Sequence, residues 1–337
     1  RGAFTGSPKR RATASSRVLV PESEPKVQAM SESIAEVVAD AAPGDLHELA
    51  SRLCLHVEEW IRELSAPEPF FCDKESLNDE LTAAMAAAEK KDRKGLTKTF
   101  EARRKELEAR MHEVAAEALP AIGTSLMSLL QELQPLLQLC ELCCQRERAV
   151  LAELSDAERL QRCRVFYDGT SDDVYSNFKC FRFSVGPVGF MKGEQFFHVA
   201  KALLCADLPS AQRMMLTTGG PALRRMGGQV EGYFERGADW ENVDSGLLLL
   251  VNVIIKLAAV QPAYEEQNAR LRAELLDDGR ASPALHIAEG AKDDVRCGLG
   301  VHVDDESVLD PETITGRWGR NQLGHACMIV ARGLARA

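Results

Sequence analysis

The sequence predicts a helix-dominated α+β protein, in which an all-α region precedes a region that combines helices with a few short strands. Residues 27–160 carry apolar side chains at spacings of three and four almost throughout, which is the periodicity of amphipathic helices. Later in the chain, short apolar runs bounded by polar and glycine-containing turns indicate strands between further helical patterns. We therefore expect three parts: a basic tail (1–26), a helical bundle or hairpin (27–160) and an α+β domain (161–337).

The overall composition is that of a soluble globular protein. The chain has 337 residues, of which 45% are hydrophobic and 27% are charged, and its formal net charge is −10. An acidic chain is not drawn as a whole to nucleic acid or to an anionic membrane. The longest apolar run, residues 246–260, is too short to span a bilayer and contains Asn252 and Lys256. We expect it to form a buried core helix, and we expect no membrane partner.

The first 21 residues are basic, rich in Ser and Thr, and free of acidic residues. This composition fits either a disordered tail, which we prefer, or an organelle transit peptide. Several of the ten cysteines stand in apolar helical patterns, which is typical of reduced, buried thiols inside cells. We expect a cytoplasmic protein, with a plastid or mitochondrion as the alternative if residues 1–21 are a transit peptide.

Three apolar stripes make up the helical region. They run over residues 46–64, 96–118 and 126–160. The segment SAPEP (65–69) ends the first stripe, Pro120 and Gly123 predict a second break, and Pro135 predicts a kink or boundary. A region of this kind packs either on the rest of the chain or on a protein partner, so self-association or a partner at residues 27–160 is one of two outcomes.

The segment CELCC (140–144) contains a C-x-x-C pattern. A metal or redox site would need a second pair of cysteines or histidines at ligand spacing, and the sequence shows none. On a helix, Cys140, Cys143 and Cys144 fall on one apolar face, so we expect buried thiols and no metal.

The second half of the chain alternates short strands with helices. We expect strands at residues 164–169, 181–186 and 286–290. We expect helices at residues 193–207, around 208–227, 239–260 and 262–277, and at 322–335.

Two of these helices carry ionisable groups among apolar residues. Glu194, His198 and Lys201 are spaced four and three apart, so they share one helical face. Lys256 either extends its ammonium to the surface or meets a carboxylate or phosphate, because an unpaired buried lysine loses its proton. Glu194 is a candidate carboxylate, and the two helices then border a shared pocket.

The loop before the closing helix is a candidate phosphate site. Arg317, Arg320 and Asn321 precede that helix, and a helix N-terminus with free N–H groups and a nearby arginine can hold a phosphate. Together with the two buried ionisable groups, this favours a phosphorylated sugar as the substrate.

A series of short motifs appears in an order that is specific as a set. The motifs are VFYDG (165–169), Ser176-Asn177-Phe178, GEQFFHVAK (193–201), Met226-Gly227-Gly228, Trp240, Lys256-Leu257, Ile287-Ala288-Glu289, Asp294, Cys297–Gly300 and GRNQLGHACM (319–328). In this order they resemble the NADAR family, also described as the riboflavin-intermediate N-glycosidase family. The resemblance covers about residues 164–335, roughly half of the chain.

The resemblance implies an N-glycosidase domain that acts on ribosides and needs neither a metal nor a cofactor. One branch of the family is associated with phosphorylated ribosylaminopyrimidines of the riboflavin pathway. Another is associated with ADP-ribosylated guanine, so nucleic acid enters only as a modified substrate. The implied catalytic residues are Glu194, Lys201 and Asp294. The implied substrate-binding residues are Asn177, Phe178, Trp240, Lys256, Glu289, Gly298, Gly300, Asn321 and Gly324.

These residue types suit that chemistry. Cleavage of a C1′–N bond builds positive charge on the ribose ring, which a carboxylate such as Glu194 can stabilise or relieve by activating water. Asp294 or Glu289 would supply a second carboxylate. Lys201 or Lys256 would bind phosphate or attack an opened ribose as an amine nucleophile, and an indole such as that of Trp240 would stack on the base.

Three positions depart from the family pattern. Gln195 stands in place of a histidine, Gly228 in place of an arginine, and Cys297 in place of a tryptophan. The Arg-to-Gly and Trp-to-Cys differences remove a phosphate-gripping fork and a stacking platform. They leave two alternatives open: a module that binds ADP-ribose or a related nucleotide without turnover, and a helical interaction protein with a degenerate NADAR-like domain.

Overall fold

The computed structural model describes residues 46–167, 173–217, 219–232, 239–292, 294–316 and 319–336, excluding the side chains of residues 180, 239–245 and 336. The basic tail and the start of the helical region, residues 1–45, lie outside these ranges, as do Arg317 and Trp318.

The fold is a helix-dominated α+β fold with a few short strands, as the sequence predicts. The helices are α1 (Leu46–Leu64), α2 (Lys74–Ala87), α3 (Arg93–Ala152), α4 (Asp156–Arg162), α5 (Gly193–Leu204), α6 (Leu208–Met215), α7 (Gly220–Gly227), α8 (Asp239–Ala259), α9 (Ala269–Arg280), α10 (Pro311–Ile314) and α11 (Gln322–Arg336). The strands are β1 (Cys163–Phe166), β2 (Cys180–Val185), β3 (Val188–Lys192) and β4 (His286–Glu289).

Helix α1 forms where the first apolar stripe predicts it. Its stripe residues are buried, and Trp60 at 6% exposure donates its indole N–H to the hydroxyl of Ser125 on α3 at 2.7 Å. The SAPEP segment ends the helix as predicted.

Helix α3 is a single helix of 60 residues, so the predicted break at Pro120 and Gly123 is wrong, as is a boundary at Pro135, while a kink at Pro135 stays a prediction. Both prolines lie on the exposed face of the helix. Proline removes the bond to the carbonyl four residues earlier, here those of Ala116 and Gln131. Those residues are exposed too, so water can bond to their carbonyls, while buried side chains on either side of each proline keep the helix continuous.

The C-x-x-C segment lies in α3. Cys140, Cys143 and Cys144 are buried, which confirms the expected buried thiols, and burial raises the pKa of Cys140 and Cys144 well above the usual value. Within the described ranges, no group of three or more His, Cys, Asp or Glu side chains could hold a metal ion.

The four strands form two separate pairs. β1 and β4 are parallel, with Phe166 opposite Glu289, and β2 and β3 form an antiparallel hairpin. The three predicted strands are confirmed as β1, β2 and β4. The strand β3 was not predicted. Its signal in the sequence is the preceding Gly186-Pro187 turn, in which Gly186 has a positive φ of 62°.

The run 246–260 is a buried core helix, as expected, and forms most of α8. The other helices differ from expectation in their boundaries. Residues 208–227 form two short helices, α6 and α7, and the helix expected at 262–277 is a short 3₁₀ turn followed by α9.

The helical region packs directly on the second half of the chain. Helix α1 contacts α8 and α11, and α3 contacts α5, α6 and α8. One continuous cluster of buried apolar side chains extends from Leu46 in α1 to Ala331 in α11. The division at residue 160 stays a prediction, and the hydrophobic core does not follow it.

A stretch of α3 is long and apolar enough to cross a membrane by length and composition alone. Core helices of globular proteins share that property, and α3 contributes sixteen buried residues to the protein interior.

Candidate functional site

A cavity of about 210 Å³ lies at the carboxyl ends of the parallel strands β1 and β4. Tyr167 follows β1, Glu289 ends β4, and both line the cavity. The other ionisable lining residues are Glu194, His198, Arg224, Lys292, Asp294 and His302. Ligands in sheet proteins with helical connections commonly bind at the carboxyl ends of parallel strands, so this cavity is the candidate site.

Glu194 and His198 form a buried pair on α5. The imidazole Nε2 lies 2.8 Å from the carboxylate Oε1, and each residue is 6% exposed. Glu194 is in the first turn of the helix, where the helix dipole favours a carboxylate. The other imidazole nitrogen, Nδ1, has no hydrogen-bond partner among the residues that the structure describes, and it faces Gly227, where a Cβ would lie only 2.0 Å away.

The turn that carries Asn177 and Phe178 is held from behind the cavity by Lys256. The fully buried ammonium donates hydrogen bonds to the carbonyl of Tyr175 at 2.7 Å and to Oδ1 of Asn177 at 2.8 Å. The Asn177 amide donates in turn to Oδ1 of Asn252 at 2.7 Å, and the Asn177 carbonyl accepts from the N–H of Glu194 at 2.9 Å. Lys256 therefore positions cavity residues and does not line the cavity itself.

Tyr175 ties the same turn to α9. Its hydroxyl donates to Asp278 at 2.5 Å, and the guanidinium of Arg164 bonds to that carboxylate at 2.8 Å. Burial, with the Asp278 carboxylate second, raises the pKa of Tyr175 well above its usual value, so the phenol keeps its proton and remains a donor.

Glu289 enters the cavity from the end of β4 and is 1% exposed. Its N–H donates to Oδ1 of Asn321 at 2.9 Å, and its carbonyl accepts from the N–H of Leu299 at 2.8 Å. Asn321 also donates from Nδ2 to the carbonyl of Ile287 at 2.9 Å, and its φ of 57° turns the chain into α11. Asn321 thus fixes the strand end that carries Glu289.

The predicted glycines serve this frame and do not line the cavity. A Cβ on Gly324 would lie 2.3 Å from Oδ1 of Asn321 and 2.4 Å from the carbonyl of Ile287. Gly298 is packed against the carbonyls of Glu289 and Asp294, and Gly300 has a positive φ of 75°. These positions admit glycine because the backbones of β4, the following loop and α11 meet there.

Asp294 reaches the cavity but also closes its own loop. Its Oδ1 accepts the N–H of Cys297 at 2.8 Å and that of Arg296 at 3.2 Å. One carboxylate oxygen is therefore engaged by the turn. Asp294 supports the loop first, and it is a weaker candidate for chemistry than Glu194 or Glu289.

Of the remaining predicted residues, the structure places Lys201 outside the cavity and does not describe the side chain of Trp240. Lys201 is partly buried in the last turn of α5 and is not among the lining residues. Trp240 lies at the start of α8, and its side chain is outside the described set, so its stacking role stays a prediction.

The phosphate site expected before the closing helix includes Arg317, which lies outside the described residues, and the described part of this loop offers no free N–H groups at residues 320–323. The N–H groups of Arg320, Asn321, Gln322 and Leu323 bond to backbone carbonyls of residues 295–298 at 2.8–3.1 Å. The start of α11 is therefore occupied by its own loop and is not open to an anion.

The sequence analysis missed several lining residues. Arg224 lies on α7, Lys292 and His302 follow β4, and Tyr167 packs against His302 with ring centroids 4.9 Å apart. Tyr167, Lys292 and His302 lie in irregular loops, and Arg224 lies on a short helix. No periodic pattern in the sequence therefore pointed to these four residues. Tyr167 alone stood within a recognised motif.

The departure at position 195 lies away from the cavity. Gln195 accepts the N–H of Met191 at 3.1 Å, and its amide donates to carbonyls at the end of α6, including those of Met214 and Met215 at 3.2 Å. It joins β3 to α6, while His198, one turn later, faces the cavity. Of the other two departures, Cys297 lines the cavity and Gly228 ends α7.

No family model matches the chain, and neither a curated protein nor a solved structure matches it.

The cavity combines two buried carboxylates with two histidines, aromatic rings and two cations. Glu194 and Glu289 are nearly inaccessible to solvent, whereas Arg224 and Lys292 are exposed. Buried carboxylates in a site of low polarity can stabilise a developing positive charge more strongly than they could in water. The arrangement suits a reaction in which a bound molecule becomes cationic.

Proposed function

We propose that the chain is an N-glycosidase that hydrolyses the C1′–N bond of a phosphorylated riboside. The observation that carries this proposal is that the buried Glu194–His198 pair and the buried Glu289 face the same small cavity. The ordered motifs that resemble the NADAR family support it, because Glu194 and Glu289 both belong to them.

The chemistry assigns separate roles to the two carboxylates. As the C1′–N bond breaks, its electron pair leaves with the base nitrogen and positive charge develops on the ribose ring. Glu289 stabilises that charge. Glu194, oriented by His198, accepts a proton from the water whose oxygen bonds to C1′, and the departing nitrogen takes up a proton, so one water is consumed.

The test is a product assay with the full chain. The two substrates are the phosphorylated ribosylaminopyrimidine of the riboflavin pathway and ADP-ribosylated guanine in DNA, and mass spectrometry follows the released base. We expect release from one substrate and a loss of roughly a hundredfold or more in kcat for Glu194→Gln, as is typical when an acid–base group is removed.

The matched control is Glu117→Gln, an exposed carboxylate on α3 far along the chain from the site residues, which should leave the rate unchanged. Equal rates for Glu194→Gln and the parent would exclude Glu194 from the reaction. No release from either substrate by the folded parent would reject the proposed activity.

A second candidate is a module that binds the nucleotide without turnover. Gly228 and Cys297 favour it, because Cys297 lines the cavity and Gly228 follows Gly227, which packs against His198. Saturable binding of ADP-ribose by the parent, without release of a base from either substrate, would identify this module.

A further inference from the structure

The charges of the cavity are separated by depth. The carboxylates of Glu194 and Glu289 are 6% and 1% exposed, whereas Arg224 and Lys292 line the same cavity and are exposed to solvent. A ligand that fits this arrangement carries its electron-deficient centre inward and an anionic group outward.

The two cations have no hydrogen-bonded side-chain partner among the described residues. The side chains of Arg224 and Lys292 make no hydrogen bond or ion pair there, and Lys292 interacts at longer range with the exposed Asp305. Other basic side chains of this half of the chain are paired, as Arg164 is with Asp278 and Arg332 is with Glu147. The donors of Arg224 and Lys292 are therefore available to a ligand.

We propose that Arg224, assisted by Lys292, forms an anion subsite at the rim of the cavity that binds the phosphate of the ligand. This rests on the proposed function for the identity of the rest of the ligand. A guanidinium presents two parallel N–H donors to two phosphate oxygens, and the lysine adds a point charge. A ribose between this subsite and the two carboxylates then carries its phosphate outward and its C1′ inward.

The position of Arg224 also bears on Gly228. Both lie on or at the end of α7, four residues and therefore about one helical turn apart. The family pattern has an arginine at position 228. In our assignment, Arg224, one turn earlier on α7, takes the phosphate-binding role of that arginine. Arg225, the next residue, is exposed as well but does not line the cavity.

Arg225 therefore provides a matched control. Binding of ribose 5-phosphate and of ribose to the full chain is measured by calorimetry for the parent, Arg224→Ala and Arg225→Ala. We expect the parent to prefer ribose 5-phosphate, and Arg224→Ala to weaken that binding about ten- to a hundredfold, the usual effect of losing hydrogen bonds to a charged group. Ribose affinity, and both affinities of Arg225→Ala, should match the parent.

Three results would overturn the subsite: no preference for ribose 5-phosphate over ribose, no loss in Arg224→Ala, or equal losses in both variants. Circular dichroism confirms that each variant folds, which is expected because neither guanidinium is paired with a described residue. Since the assay needs no turnover, Arg224-dependent binding without base release would retain the subsite and reject the N-glycosidase. Base release unaffected by Arg224→Ala would do the reverse.

Discussion

His286 and His325 are buried side by side without hydrogen-bond partners for any of their four ring nitrogens among the described residues. Their ring centroids are 6.3 Å apart, and Arg148 and Arg332 lie near them. Burial, followed by Arg148 and Arg332, lowers the pKa of His286 to about 3. Burial, followed by Arg148 and His286, lowers the pKa of His325 well below its usual value. Both imidazoles are therefore neutral in the folded protein.

The buried histidines predict that the protein loses stability in mild acid. The unfolded chain binds protons at these two sites below a pH of about 6.5, whereas the folded chain does not, so the free energy of unfolding falls as pH drops from there toward 3. Each histidine contributes a slope of up to about 1.4 kcal/mol per pH unit. Urea unfolding at pH 7 and pH 5 measures the change.

The control for this prediction is His112→Gln on the exposed face of α3, which should keep the parent's pH dependence. His325→Leu should reduce it. An identical pH dependence in His325→Leu and the parent would show that His325 does not contribute.

At the residue scale, the sequence predicts Glu194, Glu289 and Asn177 as site residues, and all three line the cavity. The role of Lys256 could not be predicted, because one partner of its ammonium is a backbone carbonyl. Every residue has such a carbonyl, so the sequence does not indicate which one the lysine meets. Arg224 was missed for a related reason: its place at the cavity depends on how α7 packs, not on its neighbours in sequence.

At the element scale, helix α3 tolerates two interior prolines because both are on its exposed face. Replacing either with alanine restores a donor for the carbonyl of Ala116 or Gln131 and creates no internal cavity. We expect Pro120→Ala and Pro135→Ala each to raise the free energy of unfolding, by about 1–3 kcal/mol. Chemical denaturation provides the measurement.

Pro311→Ala is the comparison for α3, because Pro311 begins α10 at a position where proline costs little. It should leave the free energy of unfolding nearly unchanged. A decrease in stability for Pro120→Ala would mean that the proline ring packs favourably in its place.

Strong periodicity explains which elements were predictable. α1, α8 and α11 have long, regular apolar patterns and were predicted close to their limits. The prolines of α3 predict helix breaks despite the regular apolar pattern around them. In the fold, the continuous stripe of buried side chains keeps the helix intact through both prolines. β3 has only five residues with a glycine among them, too few to establish an alternation.

At the scale of the whole molecule, polar contacts as well as the shared hydrophobic core join the helical region to the second half of the chain. Arg332 of α11 is paired with Glu147 of α3 at 2.5 and 2.8 Å. Arg148 of α3 donates to the carbonyls of Gly319 and Arg320 at 3.2 and 3.1 Å, in the loop before α11. The sequence predicts a boundary near residue 160 because the helical periodicity gives way there to strand and turn patterns. Such a change in pattern does not show which faces of the helices pack together.

These contacts predict that residues 161–337 do not fold alone. Removing α1 and α3 exposes the faces of α8 and α11 that form one core with them and leaves Arg332 without its carboxylate. We expect no cooperative thermal transition and binding of a hydrophobic dye, compared with residues 46–337 as the control. A cooperative melt of the shorter piece would establish an independent domain.

The length of α3 has a practical consequence. Sixty helical residues span about 90 Å, more than twice the radius of gyration of about 20 Å expected for a compact chain of this size. The largely exposed turn at 88–92 joins α2 to the start of α3. None of its residues lines the cavity, and no residue of α3 before Met111 is buried. A fluorophore or a surface anchor attached there would leave the site open, and would orient every molecule on a chip in the same way.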